Sequence, residues 1–245
     1  MRDDSGLIAF QNVDLSRVTV ILPALNEAAA LPTALASFPP QVGLLVVDNG
    51  STDQTAAVAA AHGAQVVREP RHGFGAACWA GVQAASGEVL VFADADGSFD
   101  GADLPAVAGP VLRGEADLVV GSRLARREQG AMSALAVLEN RLLGLACRLL
   151  FGVPLTDLGP FRAIRRDALL ALEVTDRGSG WPLEMIGRAG TLGLRVVEVP
   201  VRYRPRAGGR SKVSGSAAGT VRAIAAMATV TLALLRERRR TRVTG

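Results

Sequence analysis

Short apolar runs rich in β-branched residues alternate with alanine-rich stretches through the first half of the chain. Such runs, bounded by glycine, proline or polar residues, predict buried strands, and the stretches between them predict helices. This alternation is typical of a mostly parallel sheet flanked by helices. The predicted strands are residues 18–22, 44–47, 65–68, 89–93 and 118–120, and the predicted helices are 32–37, 53–61, 75–85 and 104–112.

The alternation stops after Gly121, and the second half of the chain has a different pattern. It predicts a long helix over 132–150, an irregular segment, a helix from Pro182, a strand over 195–201 and a final helix over 215–240. We expect a lead-in over 1–16, one α/β domain over 17–214, and a C-terminal helix with a basic tail over 215–245. A nucleotide-binding half would precede a half that receives the second substrate.

Composition narrows the functional class. With 245 residues, 49% of them hydrophobic and 20% charged, the chain is neither disordered nor fibrous. The net charge is +4, and the last ten residues, with five arginines and one glutamate, account for all of it. A neutral body with a basic tail argues against a nucleic-acid partner. Two cysteines, Cys78 and Cys147, form no disulfide framework, which favours a cytoplasmic location.

Two carboxylates follow the strand predicted at 89–93. Buried strand ends are where ligands bind in open α/β sheets, and side chains at i and i+2 in extended backbone point to one side. The like charges of Asp94 and Asp96 repel, and a hard cation removes the conflict and can bridge to a diphosphate. We therefore predict that this pair binds Mg²⁺ or Mn²⁺. An acidic turn that caps the next helix is the alternative.

Two other predicted strands end in polar residues that the same sheet edge would bring near Asp94. Asp48 ends the second strand before a Gly-Ser turn, where it could accept hydrogen bonds from a base or a ribose. Asn26 and Glu27 follow the first strand. Helix capping by Asp48 and by Asn26 is an alternative that the local pattern leaves open.

These three segments together resemble family 2 glycosyltransferases of the GT-A fold, in particular the branch that transfers mannose or glucose to dolichol or polyprenyl phosphate. The resemblance covers about residues 18–214 in the family's order. It implies inverting transfer of a hexose from a GDP-mannose or UDP-glucose type of donor to a polyprenyl phosphate, by in-line displacement. The further segments that carry it are residues 73–75, 120–123, 156–162, 181–185, 198–201 and 209–212.

The resemblance also implies roles for individual residues. Asp94 and Asp96 would bind the metal and the diphosphate, and Arg123 would bind the acceptor phosphate. The acceptor side departs from the family's pattern, because no basic residue immediately precedes Asn140 and Gly159-Pro160 replaces the usual Ser-Gly. The implied donor contacts are Pro23, Glu27, Asp48, Gly73, Arg210 and Lys212.

Arginines alternate with other residues where the last predicted strand ends. Arg202, Arg204 and Arg206 would share one face of an extended chain, and we assign Arg202 to the acceptor phosphate together with Arg123. A solvated edge strand, kept from pairing by its positive charges, is the alternative.

The acceptor decides whether a general base is needed. A phosphate, with a second pKa of about 6, is already a nucleophile at neutral pH, whereas a hydroxyl needs a base. Asp157 and Glu184 are the candidate bases, and we group them with Asp94 and Asp96 as catalytic carboxylates. Transfer to a soluble hydroxyl acceptor and a non-catalytic nucleotide-sugar-binding module remain alternatives.

Two other enzyme classes fit poorly. An NAD-dependent oxidoreductase would need its glycine-rich turn after the first strand, whereas Gly73-Phe74-Gly75 follows the third and has Cys78 at the last glycine position. A nucleotidyltransferase needs a glycine-rich, arginine-bearing loop after the first strand, where this chain has Pro23 to Asn26.

The C-terminal helix has two interpretations. Residues 223–235 form an uncharged run between Arg222 and four nearby arginines, and this run is too short to span a bilayer. An interfacial helix on the inner face of the cell membrane, with the arginines on anionic lipid, suits its length and charge. The alternative is that apolar residues dock on the domain, namely Ile224, Met227, Val230, Leu232 and Leu235.

Overall fold

The fold is built on a seven-stranded sheet with strand order β3-β2-β1-β4-β6-β5-β7. The computed structural model describes residues 13–208 and 228–234. The strands are β1 (Val18–Ala24), β2 (Gly43–Asp48), β3 (Gln65–Arg68), β4 (Val89–Phe92), β5 (Leu118–Arg127), β6 (Arg162–Arg165) and β7 (Val196–Tyr203).

Seven helices connect or follow these strands in the described residues before 209. Their bounds are α1 (Leu31–Ala36), α2 (Thr55–Ala61), α3 (Phe74–Ala84), α4 (Leu104–Leu112), α5 (Ala134–Phe151), α6 (Arg166–Ala171) and α7 (Trp181–Thr191). Residues 228–234 are also helical and lie within the predicted C-terminal helix.

The strand directions confirm the predicted class of fold. β1 pairs in parallel with β2 and β4, β2 with β3, and β5 with β7. Only β6 runs antiparallel to its neighbours, β4 and β5. Because β1, β2 and β4 are parallel, their carboxyl ends meet at one edge of the sheet, where open α/β sheets bind ligands.

Helices cover both faces of the sheet, and the apolar core is therefore divided into two layers. Successive residues of β1 alternate between them. Ile21 belongs to the layer that contains Trp181 of α7 and Cys147 of α5, whereas Leu22 belongs to the opposite layer with Leu31 of α1. Strands that are buried on both faces have nearly continuous apolar sequences. This explains why β1, β2 and β4 could be predicted from the sequence.

The sequence did not predict β6 or α6. β6 has the sequence Arg-Ala-Ile-Arg, in which charged ends flank only two apolar residues. It nevertheless lies in the middle of the sheet, because Ala163 pairs with Val91 on one side and with Val119 on the other. β5 is also longer than predicted and continues to Arg127 through an irregularity between Ser122 and Arg126.

Part of the C-terminal helix docks on the domain. Val230 and Leu234 are buried, and they lie against Gly180 and Gly187, respectively, at the start of α7 and within it. Leu232 is exposed, whereas Ile224, Met227 and Leu235 lie outside the described residues. Within residues 13–208 and 228–234, no helix is long and apolar enough to cross a membrane.

Arg162 holds the turn before β6 against α7. Its side chain is buried, and it donates hydrogen bonds to the carbonyl oxygens of Gly159 (2.8 Å), Pro182 (2.9 Å) and Leu158 (3.0 Å). Burial lowers the pKa of Arg162 to about 10. The side chain therefore compensates for its own burial by donating hydrogen bonds to three carbonyl groups.

Arg162→Met should lower the free energy of unfolding by about 3 kcal/mol, because three carbonyl groups, two of them in buried residues, lose the hydrogen bond from Arg162. Urea denaturation measures this change. The matched variant Arg68→Met alters an exposed arginine on the edge strand β3 and should change stability by less than about 0.5 kcal/mol. Equal losses in the two variants would contradict the role given to Arg162.

Candidate active site

A cleft of about 530 Å³ opens where β1, β2 and β4 end. The predicted segments that contain Pro23, Gly73, Asp94 and Arg123 reach this cleft, whereas the segment that contains Glu184 does not. The residues that line the cleft include Pro23, Glu27, Asn49, His72, Gly73, Asp94, Asp96, Arg123, Ala131, Tyr203 and Arg206.

Asp94 and Asp96 lie together at the end of β4. Asp96 is buried, and its Oδ1 accepts hydrogen bonds from the backbone N–H of Ser98 (2.9 Å) and from the Ser98 hydroxyl (2.5 Å). Burial, followed by the charge of Asp96, raises the pKa of Asp94 to about 7. The two carboxylates therefore repel strongly enough that a cation between them would be favourable.

In this structure an arginine supplies a positive charge at the carboxylates. One Nη atom of Arg206 lies 2.8 Å from Oδ2 of Asp96, and the other donates to Oε1 of Glu27 at 2.7 Å. The backbone N–H of Ala207 donates to the carbonyl oxygen of Asp96 (3.0 Å), which holds the segment after β7 over the cleft. The sequence did not predict that Arg206 enters the site.

The other two arginines of this segment lie elsewhere. Arg202 and Arg204 both bind Oδ2 of Asp100, at 3.0 and 2.7 Å, and neither lines the cleft. The prediction that all three arginines share one face is therefore wrong, because Arg206 turns away from the pair after β7 ends. The placement also does not bring Arg202 to the acceptor side of the cleft.

Arg123 is held rigidly in the cleft wall. Asp157, which is fully buried, accepts hydrogen bonds from the backbone N–H, Nε and Nη2 of Arg123 at 2.7–2.8 Å. Nη2 also donates to Oδ1 of Asn140 (3.0 Å), and the guanidinium lies 5.3 Å from the ring centre of Tyr203. Burial alone would lower the pKa of Arg123, but its contacts with Asp157 raise it above its ordinary value.

These contacts change the role predicted for Asp157. Both carboxylate oxygens bind Arg123, and the residue does not line the cleft. A carboxylate committed to an arginine in this way is a poor general base. The structure therefore gives Asp157 the position of a residue that orients Arg123.

Glu184 also lies outside the cleft. It is in the first turn of α7 and accepts hydrogen bonds from the backbone N–H groups of Thr175 and Asp176 and from Nε of Arg188. Burial would raise the pKa of Glu184, but these bonds hold it below its ordinary value. The structure does not bring Glu184 to the site as a catalytic carboxylate, and its contacts instead hold the loop before α7.

The nucleotide side of the cleft combines capping and lining residues. Oδ1 of Asp48 accepts a hydrogen bond from the N–H of Ser51 (2.9 Å), and Oδ1 of Asn26 accepts one from Thr52 (2.8 Å). Both residues therefore bind the loop before α2 and cap no helix, because neither α1 nor α2 has a side-chain cap. These contacts do not prevent a second contact with a ligand. Asp48 does not itself line the cleft, whereas its neighbour Asn49 does.

Gly73 is required by its backbone. Its φ is 149°, and a Cβ there would collide with the carbonyl oxygen of Arg177. Its N–H donates to Oδ1 of Asn49 at 2.9 Å, which fixes the turn before α3 against the end of β2. His72, Asn49, Tyr203 and Arg206 are lining residues that the sequence motifs did not identify, because each depends on a contact distant in the chain.

The residues present fit a metal that shares its ligands with a substrate. Among the residues that the structure describes, no group of three or more His, Cys, Asp or Glu side chains could hold a metal ion. Mg²⁺ commonly binds through one or two carboxylates together with substrate phosphates, and Asp94 with Asp96 suits that arrangement. Arg210 and Lys212, the remaining implied donor contacts, lie outside the described residues.

Asp94→Asn should stabilise the metal-free protein at high pH. A raised pKa in the folded state contributes stability that is complete below the unfolded pKa, near 3.8, and is lost as the pH rises through about 7. In EDTA, the free energy of unfolding of the variant relative to that of the wild type should therefore increase by on the order of 2 kcal/mol from pH 5 to pH 8, with solvent screening included. Urea denaturation at both pH values measures the gap, and a gap independent of pH would contradict the prediction.

Comparison with known proteins agrees with this geometry. Residues 19–172 match the model of glycosyl transferase family 2. An uncharacterized glycosyltransferase of Mycobacterium tuberculosis is 50% identical over 208 residues, covering 84% of this chain and 94% of the relative. The undecaprenyl-phosphate mannosyltransferase of Micrococcus luteus is 34% identical over 223 residues, covering 83% of this chain and 90% of the relative.

Solved structures show the same architecture. Glucosyl-3-phosphoglycerate synthase from Mycobacterium tuberculosis, in complex with Mn²⁺, uridine diphosphate and glucosyl-3-phosphoglycerate, matches with a TM-score of 0.72 and 28% identity. The match covers 94% of this chain and 86% of that chain. The mostly parallel sheet flanked by helices is thus the GT-A fold that the sequence predicted. On the family model and these identities, the chain is a glycosyltransferase and belongs to glycosyl transferase family 2.

Proposed function

We propose that this enzyme transfers a hexose, with inversion, from a nucleotide diphosphate sugar to a polyprenyl phosphate. The observation that carries the proposal is the arrangement around Arg123. A guanidinium fixed by Asp157, Asn140 and Tyr203 lies in the same cleft as the aspartate pair, and it suits a phosphate group. The resemblance to the undecaprenyl-phosphate mannosyltransferase supports a lipid carrier for that phosphate.

The small number of carboxylates available in the cleft also favours a phosphate acceptor over a hydroxyl that a carboxylate would have to deprotonate. Among the described residues that line it, the acids are Glu27, Asp94 and Asp96, and two of these three are paired with Arg206. The predicted bases, Asp157 and Glu184, are occupied by other hydrogen bonds. A phosphate oxygen attacks the anomeric carbon without proton removal, while the bond from that carbon to the donor's diphosphate breaks.

On the donor side, Asp94 and Asp96 would hold Mg²⁺ or Mn²⁺ with the diphosphate, as the Mn²⁺ and uridine diphosphate complex of the structural relative suggests. When bound, the cation neutralises the charge that develops on the departing nucleoside diphosphate. Pro23, Glu27, Asp48 and Gly73 remain our proposed donor contacts. Arg206 joins them, because a guanidinium released from Asp96 could bind diphosphate oxygens in the same cleft.

A soluble acceptor is the second candidate. Glucosyl-3-phosphoglycerate synthase has been solved with phosphoglyceric acid, which carries a phosphate that Arg123 would also suit. The two candidates differ in the attacking atom, because phosphoglyceric acid would offer a hydroxyl. Assays with farnesyl phosphate and with phosphoglyceric acid, each supplied with a panel of UDP- and GDP-sugars, distinguish them. Transfer only to phosphoglyceric acid would reject the lipid-phosphate proposal.

Arg123→Lys should raise the KM for the acceptor at least tenfold and leave donor affinity unchanged, because lysine cannot keep the bidentate pair with Asp157 that orients the charge. Steady-state kinetics with varied acceptor and calorimetry with the donor measure the two effects. The matched variant Arg202→Lys changes an arginine outside the cleft and should alter the KM less than about twofold. A larger effect at Arg202 would restore the acceptor role that its position argues against.

Asp157→Asn tests the absence of a base with the same assay. The variant should lose activity by misplacing Arg123 and keep the basic limb of its pH profile. Loss of that limb would support a hydroxyl acceptor.

Asp96→Asn should reduce turnover at least a hundredfold and abolish the Mn²⁺-dependent rise in Tm on adding the donor, because it removes a ligand charge. Thermal shift with and without EDTA provides the binding readout. Asp167→Asn, which alters an exposed aspartate in α6, is the matched control and should behave as wild type. Full activity of the Asp96 variant in EDTA would remove the metal from the mechanism.

A further inference from the structure

The most exposed apolar surface in the described structure is on α5. Five of the nine exposed large hydrophobic residues in the described part of the chain belong to this helix, and each is 51–73% exposed. Their spacing of three and four residues aligns them along one side, opposite the buried Gly144, Cys147 and Phe151. We call this row the leucine stripe, and it consists of Leu135, Leu138, Leu142, Leu145 and Leu149.

We propose that the leucine stripe docks the enzyme on the surface of a lipid bilayer, with α5 lying parallel to that surface. The proposal rests on the function proposed above, since it explains how the enzyme reaches an acceptor held in a membrane. Five leucines exposed side by side form a continuous apolar surface, and such surfaces on soluble domains mark interaction sites.

The length and charge of α5 fit a helix that lies on a membrane. From Leu135 to Leu149 the stripe extends for about 21 Å. The helix has only 18 residues and includes Glu139, Arg141 and Arg148, so it does not meet the requirements for a membrane span. The two arginines are exposed and, at helical spacing, both border the same side of the stripe. There they can contact anionic headgroups while the leucines enter the acyl boundary.

The same charges disfavour a second copy of the chain as the occupant. The stripe has the spacing of a coiled-coil seam, with Arg141 and Arg148 at equivalent flanking positions. In an antiparallel pair these flanking positions face each other, so arginine would meet arginine. In a parallel pair, Arg141 would face Ala146 of the other helix, and no ion pair would form. A lipid surface complements the arginines, whereas α5 of another copy does not.

α5 also connects the leucine stripe to the active site. Ala131, four residues before Leu135, lines the cleft. Five residues after Leu135, Oδ1 of Asn140 accepts a hydrogen bond from Arg123, the proposed acceptor-binding residue. Docking through the stripe would therefore hold the acceptor side of the cleft close to the level of lipid headgroups, where a polyprenyl phosphate carries its phosphate.

Flotation with vesicles tests the proposal. Full-length protein is mixed at low salt with vesicles of phosphatidylcholine and phosphatidylglycerol. We expect Leu138→Gln/Leu145→Gln to weaken binding about tenfold or more, because two apolar anchors are lost without a change in charge. The matched control, Leu170→Gln/Leu192→Gln, alters two exposed leucines outside α5 and should bind as wild type. A chain ending at Leu235 measures the separate contribution of the basic tail and keeps Val230 and Leu234.

Three results would overturn the proposal. They are no binding by the wild type, equal binding by the stripe variant and the wild type, and a wild-type dimer in sedimentation velocity that the stripe variant abolishes. Transfer to farnesyl phosphate without vesicles tests the proposed function separately, and the stripe variant should retain wild-type rates there. If the wild type fails in that assay, the acceptor proposal falls. Stripe-dependent flotation would still support the docking surface.

Discussion

The repulsion between Asp94 and Asp96 is the interaction on which the arrangement of the site depends. Burial, followed by the charge of Asp96, raises the pKa of Asp94, so a nearby cation favours the state in which both carboxylates are charged. Arg206, which follows β7, reduces the repulsion between the carboxylates by pairing with Asp96, and it binds Glu27 as well. The segment after β7 is thus held over the cleft by the same charges that would attract a metal and a diphosphate. A guanidinium of the protein itself thus lies at the carboxylates where we propose that the metal binds.

The parallel part of the sheet was predictable because its strands are buried on both faces. β1, β2 and β4 are buried over most of their length, so apolar residues dominate their sequences. β6 shows where this fails. Its two terminal arginines interrupt the apolar pattern, and Arg162 binds three carbonyl groups outside the strand. The two central residues nevertheless pair with a neighbouring strand on each side. Such a strand is defined by its neighbours in the sheet.

The same distinction holds for the site. Asp94, Asp96 and Pro23 could be placed from the sequence because each lies at a recognisable strand end, and parallel strands bring such ends together. The contact of Arg206 with Glu27 joins residues 179 positions apart, and no local pattern predicts it. The sequence motif identified Asp157 as a site residue but did not reveal that it orients Arg123. Its commitment to Arg123 depends on the path of the chain between them.

The two sides of α5 differ, because the inner side is packed against the domain and the outer side is exposed. Its inner side packs through Gly144, where an added Cβ would collide with the backbone of Leu155, so the helix cannot shift without disturbing the segment that carries Asp157. Asn140 on the same helix binds the arginine that Asp157 orients. Its outer side leaves five leucines in water, where each is less favourable than in an apolar environment. Rigid packing on one side and an apolar surface on the other suit a helix that fixes the position of the cleft relative to whatever covers the leucines.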